Sequence, residues 1–330
     1  MSHYSKAVFR ISSLIIIGLS SCIENRDLYI PQQDTYSEVE LFIGGECNTT
    51  MIPTPDATSN TKRIYGITVA QWIKDANGSP QAKPYAYGIF DNVSNLKLNL
   101  IDRYKYRIAC TMIENGKDSI LFSNEGYGRP FTLDEYGTNY GMIQNRFLTV
   151  DPEENTPLFL FNADNSNIET KNQDKEITRP FIRRYHGVID SLETHMIGNE
   201  VEMYRRYFAI KYIVNGLQEN CKLEVQMDDS PKWTFTPEKN ETDYTYVSFK
   251  NLTNKIPKSG VLSEEVAIRV RFYRNGIMHP ATMTFYRTLK RNHKASVVID
   301  DLDEFGTDGR PFVSLKDEGE LEKEPTVDLP

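Results

Sequence analysis

From residue 36 onward, apolar and polar side chains alternate with a period of two, the pattern of a strand with one buried face. Val39, Leu41 and Ile43 alternate with Glu40 and Phe42, and Leu96, Leu98 and Leu100 alternate with Lys97 and Asn99. In RYKYRIACTM, the residues Tyr104, Tyr106, Ile108, Cys110 and Met112 share one parity, while Arg103, Lys105 and Arg107 share the other. Asn115-Gly116 follows, a pair suited to the positive φ angles of a type I′ turn, and predicts a hairpin returning through Ser119 to Phe122.

A polar stretch, NADNSNIETKNQDKEITRP at 162–180, interrupts this pattern and reads as a long loop or linker. Beyond it Phe208, Ile210, Tyr212 and Val214 alternate, Asn215-Gly216 offers a turn, and Cys221, Leu223, Val225 and Met227 alternate with Lys222, Glu224 and Gln226. This predicts a second hairpin. A third follows: Val266, Ile268, Val270 and Phe272 point one way, Arg269 and Arg271 the other, and Asn275-Gly276 turns the chain before HKASVVID closes the series. VAQWIKD, Val69 to Asp75, reads as a short helical connector, and residues 301–330, rich in Asp, Glu and Lys, as a partly disordered tail.

Short strands at hairpin spacing with few helix starts predict an all-β protein of two tandem β-sandwich domains. The expected layout is an N-terminal sandwich at 36–162, a polar linker at 163–180, a C-terminal sandwich at 181–303 and an acidic tail at 304–330.

The first 35 residues break this rhythm. Lys6 and Arg10 precede a short apolar run, Ile11 to Leu19, which is too short for the roughly 20 residues that span a bilayer. LSSC, Leu19 to Cys22, then resembles the lipobox of bacterial lipoprotein signals, in which the cysteine thiol receives a diacylglycerol and becomes the first mature residue. On this reading residues 1–21 are the signal peptide, Cys22 is the lipidation site, and residues 22–35 are a tether. At ~0.8 kcal/mol per buried methylene, more than one acyl chain gives stable attachment to outer-membrane lipid without a membrane span.

The whole chain of 330 residues carries a net charge of −8, and loss of Lys6 and Arg10 with the signal peptide takes it to −10. An acidic chain without a clustered basic surface excludes nucleic acid as an expected partner. Three cysteines remain in the mature chain, Cys47, Cys110 and Cys221, and an odd number implies no disulfide framework. Cys110 and Cys221 lie on the apolar parity of their strands and read as small buried hydrophobes, while a Cys47 to Cys110 bridge stays open.

Catalytic patterns are missing from the sequence. The mature histidines, His186, His195, His279 and His293, lack HExxH spacing, and there is no GxSxG, GxGxxG or P-loop. GYG at 126–128 has neither the context nor the lysine of a phosphate loop. DDLDEFG at 300–306 echoes a calcium loop, but Phe305 and Phe312 stand where oxygen ligands belong. Asp134-Glu135 and Asp151 with Glu153 and Glu154 serve a glycosidase only where a second carboxylate stands about 5 to 9 Å away. No catalytic residue, metal site or cofactor is therefore expected, and the protein reads as non-enzymatic. The 19 tyrosines, with Trp72 and Trp233, read as core and cross-strand residues; an exposed row of them would instead stack on sugars.

Three segments of the second half carry a family resemblance: residues 183–217, VSFKNL at 247–252 and FYRTLKRNHKASVVIDDLDE at 285–304. In this order they resemble the C-terminal domain of the fimbrillin-like lipoproteins of Bacteroidales. The resemblance covers about 120 residues, and residues 36–160 match in layout only. It implies transthyretin-like or immunoglobulin-like sandwiches, an outer-membrane lipid anchor through Cys22, a position at the cell surface, and other fimbrial or cell-surface proteins as partners. Glu24 and Asp27 resemble the export signal that sends such lipoproteins to the outer face. The implied role is fimbrial assembly, anchoring or adhesion, with glycan capture for nutrition as the alternative. In the family a strand of one subunit completes the sandwich of the next; here the C-terminal candidate RPFVSL, 310–315, is followed by charges and prolines and reads as a poor donor.

Overall fold

The structure is a computed structural model that describes residues 33–48, 62–133, 139–150, 163–164, 167–171, 179–196, 198–252, 261–279, 282–300, 302 and 312–321. Cys22, the lipobox and most of the acidic DDLDEFG segment lie outside these residues. Tyr36–Pro330 form one compact unit.

The described fold is all-β. In chain order its strands are β1 (Tyr36–Gly45), β2 (Ile64–Lys74), β3 (Pro80–Phe90), β4 (Leu96–Ile101), β5 (Lys105–Ile113), β6 (Phe122–Ser123), β7 (Gly126–Tyr127), β8 (Leu148–Thr149), β9 (Arg184–Leu192) and β10 (Glu200–Arg205). They continue as β11 (Tyr207–Val214), β12 (Cys221–Met227), β13 (Trp233–Phe235), β14 (Thr245–Ser248), β15 (Ser263–Arg274), β16 (Ile277–Met278), β17 (Met283–Lys290), β18 (His293–Asp300) and β19 (Phe312–Glu320).

An eight-stranded sheet, ordered β4-β1-β10-β9-β5-β2-β3-β8, builds the first half. Period-two alternation places Val39 opposite Leu98 and Leu41 opposite Leu96 in the antiparallel β1–β4 pair, and all four side chains are buried. The sheet rolls on itself: Tyr85 of β3 donates its hydroxyl to Asn99 O of β4 at 2.8 Å and meets the Tyr106 ring edge-on at 5.1 Å. One core, including Val39, Leu98, Ile67, Cys110 and Met203, is thereby enclosed largely by this sheet. The opposite face of β2 and β5 is also buried, because Ile120, Phe131, Ala163 and Ile168 pack on Ile64, Ala109 and Ile113.

The second half is a sandwich of two sheets, β14-β11-β18-β19 and β13-β12-β15-β16, with β17 also paired to β15. Phe208, Ile210, Tyr212 and Val214 of one sheet face Leu223, Val225, Ile268 and Val270 of the other across one core.

Several expectations are corrected. VAQWIKD is strand, the end of β2, because Val69 enters the core while the ladder to β3 and β5 absorbs its backbone groups. Asn115, at φ 54°, leads into a four-residue helix, α1 (Gly116–Ser119), instead of a hairpin; Ser119 to Phe122 do not return along β5, whose two edges are taken by β2 and β9. Asn215-Gly216 does not close a hairpin either: β11 and β12 belong to opposite sheets and face each other across the core. Alternation looks the same in paired strands and in facing strands, so the pattern alone misassigns the partner. By contrast, Asn275-Gly276, with φ 51° and 77°, closes β15 onto β16 as expected.

Two further differences concern the ends of the second half. Residues 184–205, expected in the C-terminal sandwich, supply β9 and β10 to the first sheet, between β5 and β1. Gly187 permits this close approach, since a Cβ there would stand 2.4 Å from Glu202 O. Residues 312–320, expected as acidic tail, form β19 against β18. Val313 is buried in the second core, and the following charges are paired, Asp317 with Lys290 at 2.6 Å and with His293 at 2.9 Å.

Candidate functional site

The chain passes from β10 of the first half to β11 of the second through a single residue. β10 ends at Arg205, β11 starts at Tyr207, and only Arg206 lies between them. Alternate side chains of β11 then serve different cores: Tyr207 and Ala209 belong to the first, Phe208 and Ile210 to the second. Leu321, just after β19, is buried in the first core and donates its N–H to Asn292 O at 2.7 Å.

Around this crossing lies a knot of charge. Glu46, directly after β1, accepts through Oε2 from Arg205 N–H and from Arg291 Nη1, each at 2.7 Å. Arg205 Nη1 donates to Asn292 Oδ1 at 3.0 Å, and Asn292 N–H donates to Tyr207 O at 3.0 Å. Arg205 is fully buried and Arg291 and Asn292 nearly so. Burial pulls the Arg206 guanidinium down to about 10, and the like charge of Arg291 adds to this. Next to the knot Tyr185 donates to Glu114 Oε1 at 2.9 Å, its hydroxyl lies 3.0 Å from that of Tyr207, and Glu114 Oε2 accepts from Arg183 Nε at 2.9 Å. Burial pushes both phenols well above their ordinary range.

A second buried cluster ties the covering segment to the first sheet. Asp164 meets Arg107 Nη1 at 2.8 Å and His186 Nε2 at 3.0 Å. Burial raises the Asp164 carboxyl, but its contacts with His186 and Arg107 outweigh that and bring it to about 2. Burial lowers His186, which Asp164 only partly offsets, so the imidazole is neutral at pH 7. Fully buried Arg184 donates from Nε to Thr111 Oγ1 at 2.8 Å, and burial pulls its guanidinium down to about 9.

Cys47, Cys110 and Cys221 are buried and none is disulfide-bonded, so the possible Cys47 to Cys110 bridge is not formed. Cys47 Sγ lies 3.1 Å from Gly44 O, and burial pushes its pKa up to about 11; burial also pushes the Cys110 thiol well above its ordinary value. Neither is an activated nucleophile. Of the histidines, His195 is exposed beside Glu193, His293 pairs with Asp317, His279 is half-buried, and His186 sits under the cover. Among the described residues, no three His, Cys, Asp or Glu side chains gather as metal ligands.

Trp72 is half-buried with its Nε1–H on Asp190 O at 3.0 Å, and Trp233 stacks on Phe181 at 5.6 Å. Among the described tyrosines only Tyr36 and Tyr286, each 62% exposed, stand out in solvent, and they lie in different sheets. The geometry therefore builds a jointed, cross-braced body in which the most elaborate polar chemistry is structural. Sequence reading passed over Glu46, Arg205 and Arg291 because they are distant in the chain; the visible signal was Arg205-Arg206, a doublet that breaks the alternation between two apolar runs.

Comparison with solved structures finds low-identity likenesses along most of the chain. The fimbrial anchor protein Mfa2 of Porphyromonas gingivalis is 9% identical, with 88% of this chain and 100% of that chain covered and a TM-score of 0.37. A candidate cell adhesion protein of Bacteroides eggerthii is 11% identical, with 88% and 97% covered and a TM-score of 0.34. The tip fimbrial protein Mfa3 of Porphyromonas gingivalis, truncated at its C-terminus, is 9% identical, with 86% and 99% covered and a TM-score of 0.31. No protein-family model and no curated protein matches the chain.

Proposed function

We propose that this chain is a non-enzymatic, lipid-anchored cell-surface protein of the outer membrane, acting in fimbrial assembly or anchoring or in adhesion through other surface proteins. The lipobox at Leu19 to Cys22 and the fimbrillin-like segments of the second half support this reading. In it, the rolled first half and the sandwich of the second half follow a tether that begins at acylated Cys22.

The observation that carries the choice of an anchor, accessory or terminal subunit over a repeating shaft subunit is the engagement of β19. A strand offered to a neighbouring subunit needs a free backbone ladder and alternate apolar side chains. β19 instead pairs with β18 from Phe312 to Glu320, buries Val313 in its own core and holds Asp317 on Lys290 and His293. Releasing it would expose an apolar edge and strip those charges of partners.

Cys22→Ser tests the anchor. The variant is expected to fold normally and to leave the membrane fraction after detergent-free lysis; retention in the outer membrane would overturn the lipid assignment. Purified fimbriae are expected to contain few copies of the chain per filament, and a stoichiometry matching the shaft would remove the accessory role.

A further inference from the structure

The following rests on the reading that the chain is held at the surface by its N-terminus. We infer that β1 and the Glu46 knot form a tension clamp, which carries force from the N-terminus into the second sandwich by loading β1 in shear.

The directions of the strands carry the argument. β1 runs parallel to β10, which continues through Arg206 into β11 of the second sandwich. Force at the start of β1 and an opposing force on the second sandwich therefore act at opposite ends of the parallel pair, along the strand axis. Six register pairs with β4, Tyr36 to Leu41, and four with β10, Phe42 to Gly45, are then loaded together. Peeling would load them one after another, and bonds that share a load break at a higher total force than bonds taken singly.

The far end of β1 is pinned as well. Glu46 follows the strand directly and holds Arg205 N–H and Arg291 Nη1, the first at the exit of β10 and the second in the β17–β18 turn of the second sandwich. Sliding β1 toward its N-terminus would drag this carboxylate away from both partners and draw buried Val39 and Leu41 through their sites in the core. The fit against β10 is close: a Cβ on Gly44 would coincide with the Glu200 carboxylate, and one on Gly45 would stand 2.7 Å from Met203 O.

Single-molecule force spectroscopy on residues 23–330 tests the clamp without lipid, so failure of the Cys22 assignment does not affect it. One handle is placed at the N-terminus and the other on Ile277→Cys, an exposed hairpin site in a chain whose other described thiols are buried. The comparison pulls between Lys97→Cys, near the start of edge strand β4, and Ile277→Cys, a path that does not load β1 from its N-terminus. The N-terminal geometry is expected to rupture at a clearly higher force, because its ladder bonds share the load.

Glu46→Gln is expected to lower the rupture force of the N-terminal geometry toward the peeling value. Phe42→Pro serves as an independent variant, since it removes the Phe42 N–H bond to Asn199 O at a half-exposed side chain and is expected to act in the same direction. Equal forces in the two geometries, or N-terminal rupture unchanged in folded variants, would overturn the clamp.

Discussion

Most strands of the second half bury one face, whereas β2 and β5 of the first half bury both. In β12 every odd position, from Cys221 to Met227, is buried and every even one is partly open, as a sandwich with one core requires. In β5 the run from Ile108 to Ile113 is buried throughout, since Ile108, Cys110 and Met112 enter the rolled core while Ala109 and Ile113 meet the covering segment. Covering both faces removes water as a partner for anything polar on the sheet, so such groups must find partners inside the protein. Thr111, Arg184 and His186 are buried there, and Asp164 from the cover meets His186 and Arg107. The doubly covered region therefore depends on buried charge as well as on apolar packing.

The sharpest way to break this contrast is to damage the second half and watch both. Phe208→Ala removes a fully buried ring from the second core and is expected to cost about 3–5 kcal/mol in denaturant unfolding. Trp72 in β2 and Trp233 in β13 report on the two halves separately when the other is replaced by Phe. Because Tyr207, Ala209 and Leu321 join the halves through the first core, both reporters are expected to shift together. An unchanged Trp72 transition would show that the halves unfold independently.

Next in size, Asp164→Ala should cost about 1–3 kcal/mol, less than a fully buried pair because Arg107 retains access to water. Hydrogen exchange is expected to rise first in residues 163–171 and along β9, and exchange confined to the second sandwich would count against the charged brace.

A smaller, graded effect comes from His186. Burial lowers its folded pKa below the ordinary 6.5, so acidification from that value protonates the unfolded state first. Its contribution is complete above pH 6.5 and is lost as pH falls through the folded value. Asp164, held at about 2, adds a loss beginning lower, between its ordinary 3.8 and that value. Denaturation midpoints measured from pH 7 to 5 should fall for the native chain and fall less for His186→Gln; identical slopes would remove His186 as the cause. Lys97→Ala, at an exposed pair with Glu38, is expected to leave the midpoint unchanged.

These contrasts also mark how far the fold could be read before it was seen. The alternation at 208–214, 221–227 and 266–272 named the buried residues of the second core correctly, and the Asn275-Gly276 turn was legible because its φ angles are a local requirement. Partners were less legible: the same parity serves a hydrogen-bonded neighbour and a strand facing across the core, so β11 and β12 looked like a hairpin. The tail was misread because charge dominates 316–320, while Val313 and Leu315 anchor the strand and the charges find partners only in space.

By itself, the sequence determined the all-β class and the buried parity of most strands, because side-chain alternation is a property of neighbours in the chain. Tertiary structure alone decided that β9 and β10 join the first sheet, that the cover adds a second buried face, and that Glu46 meets Arg205 and Arg291. Those contacts span up to 245 residues, and a pairing at that distance depends on which strands the folded backbone brings together, a choice that no local pattern encodes.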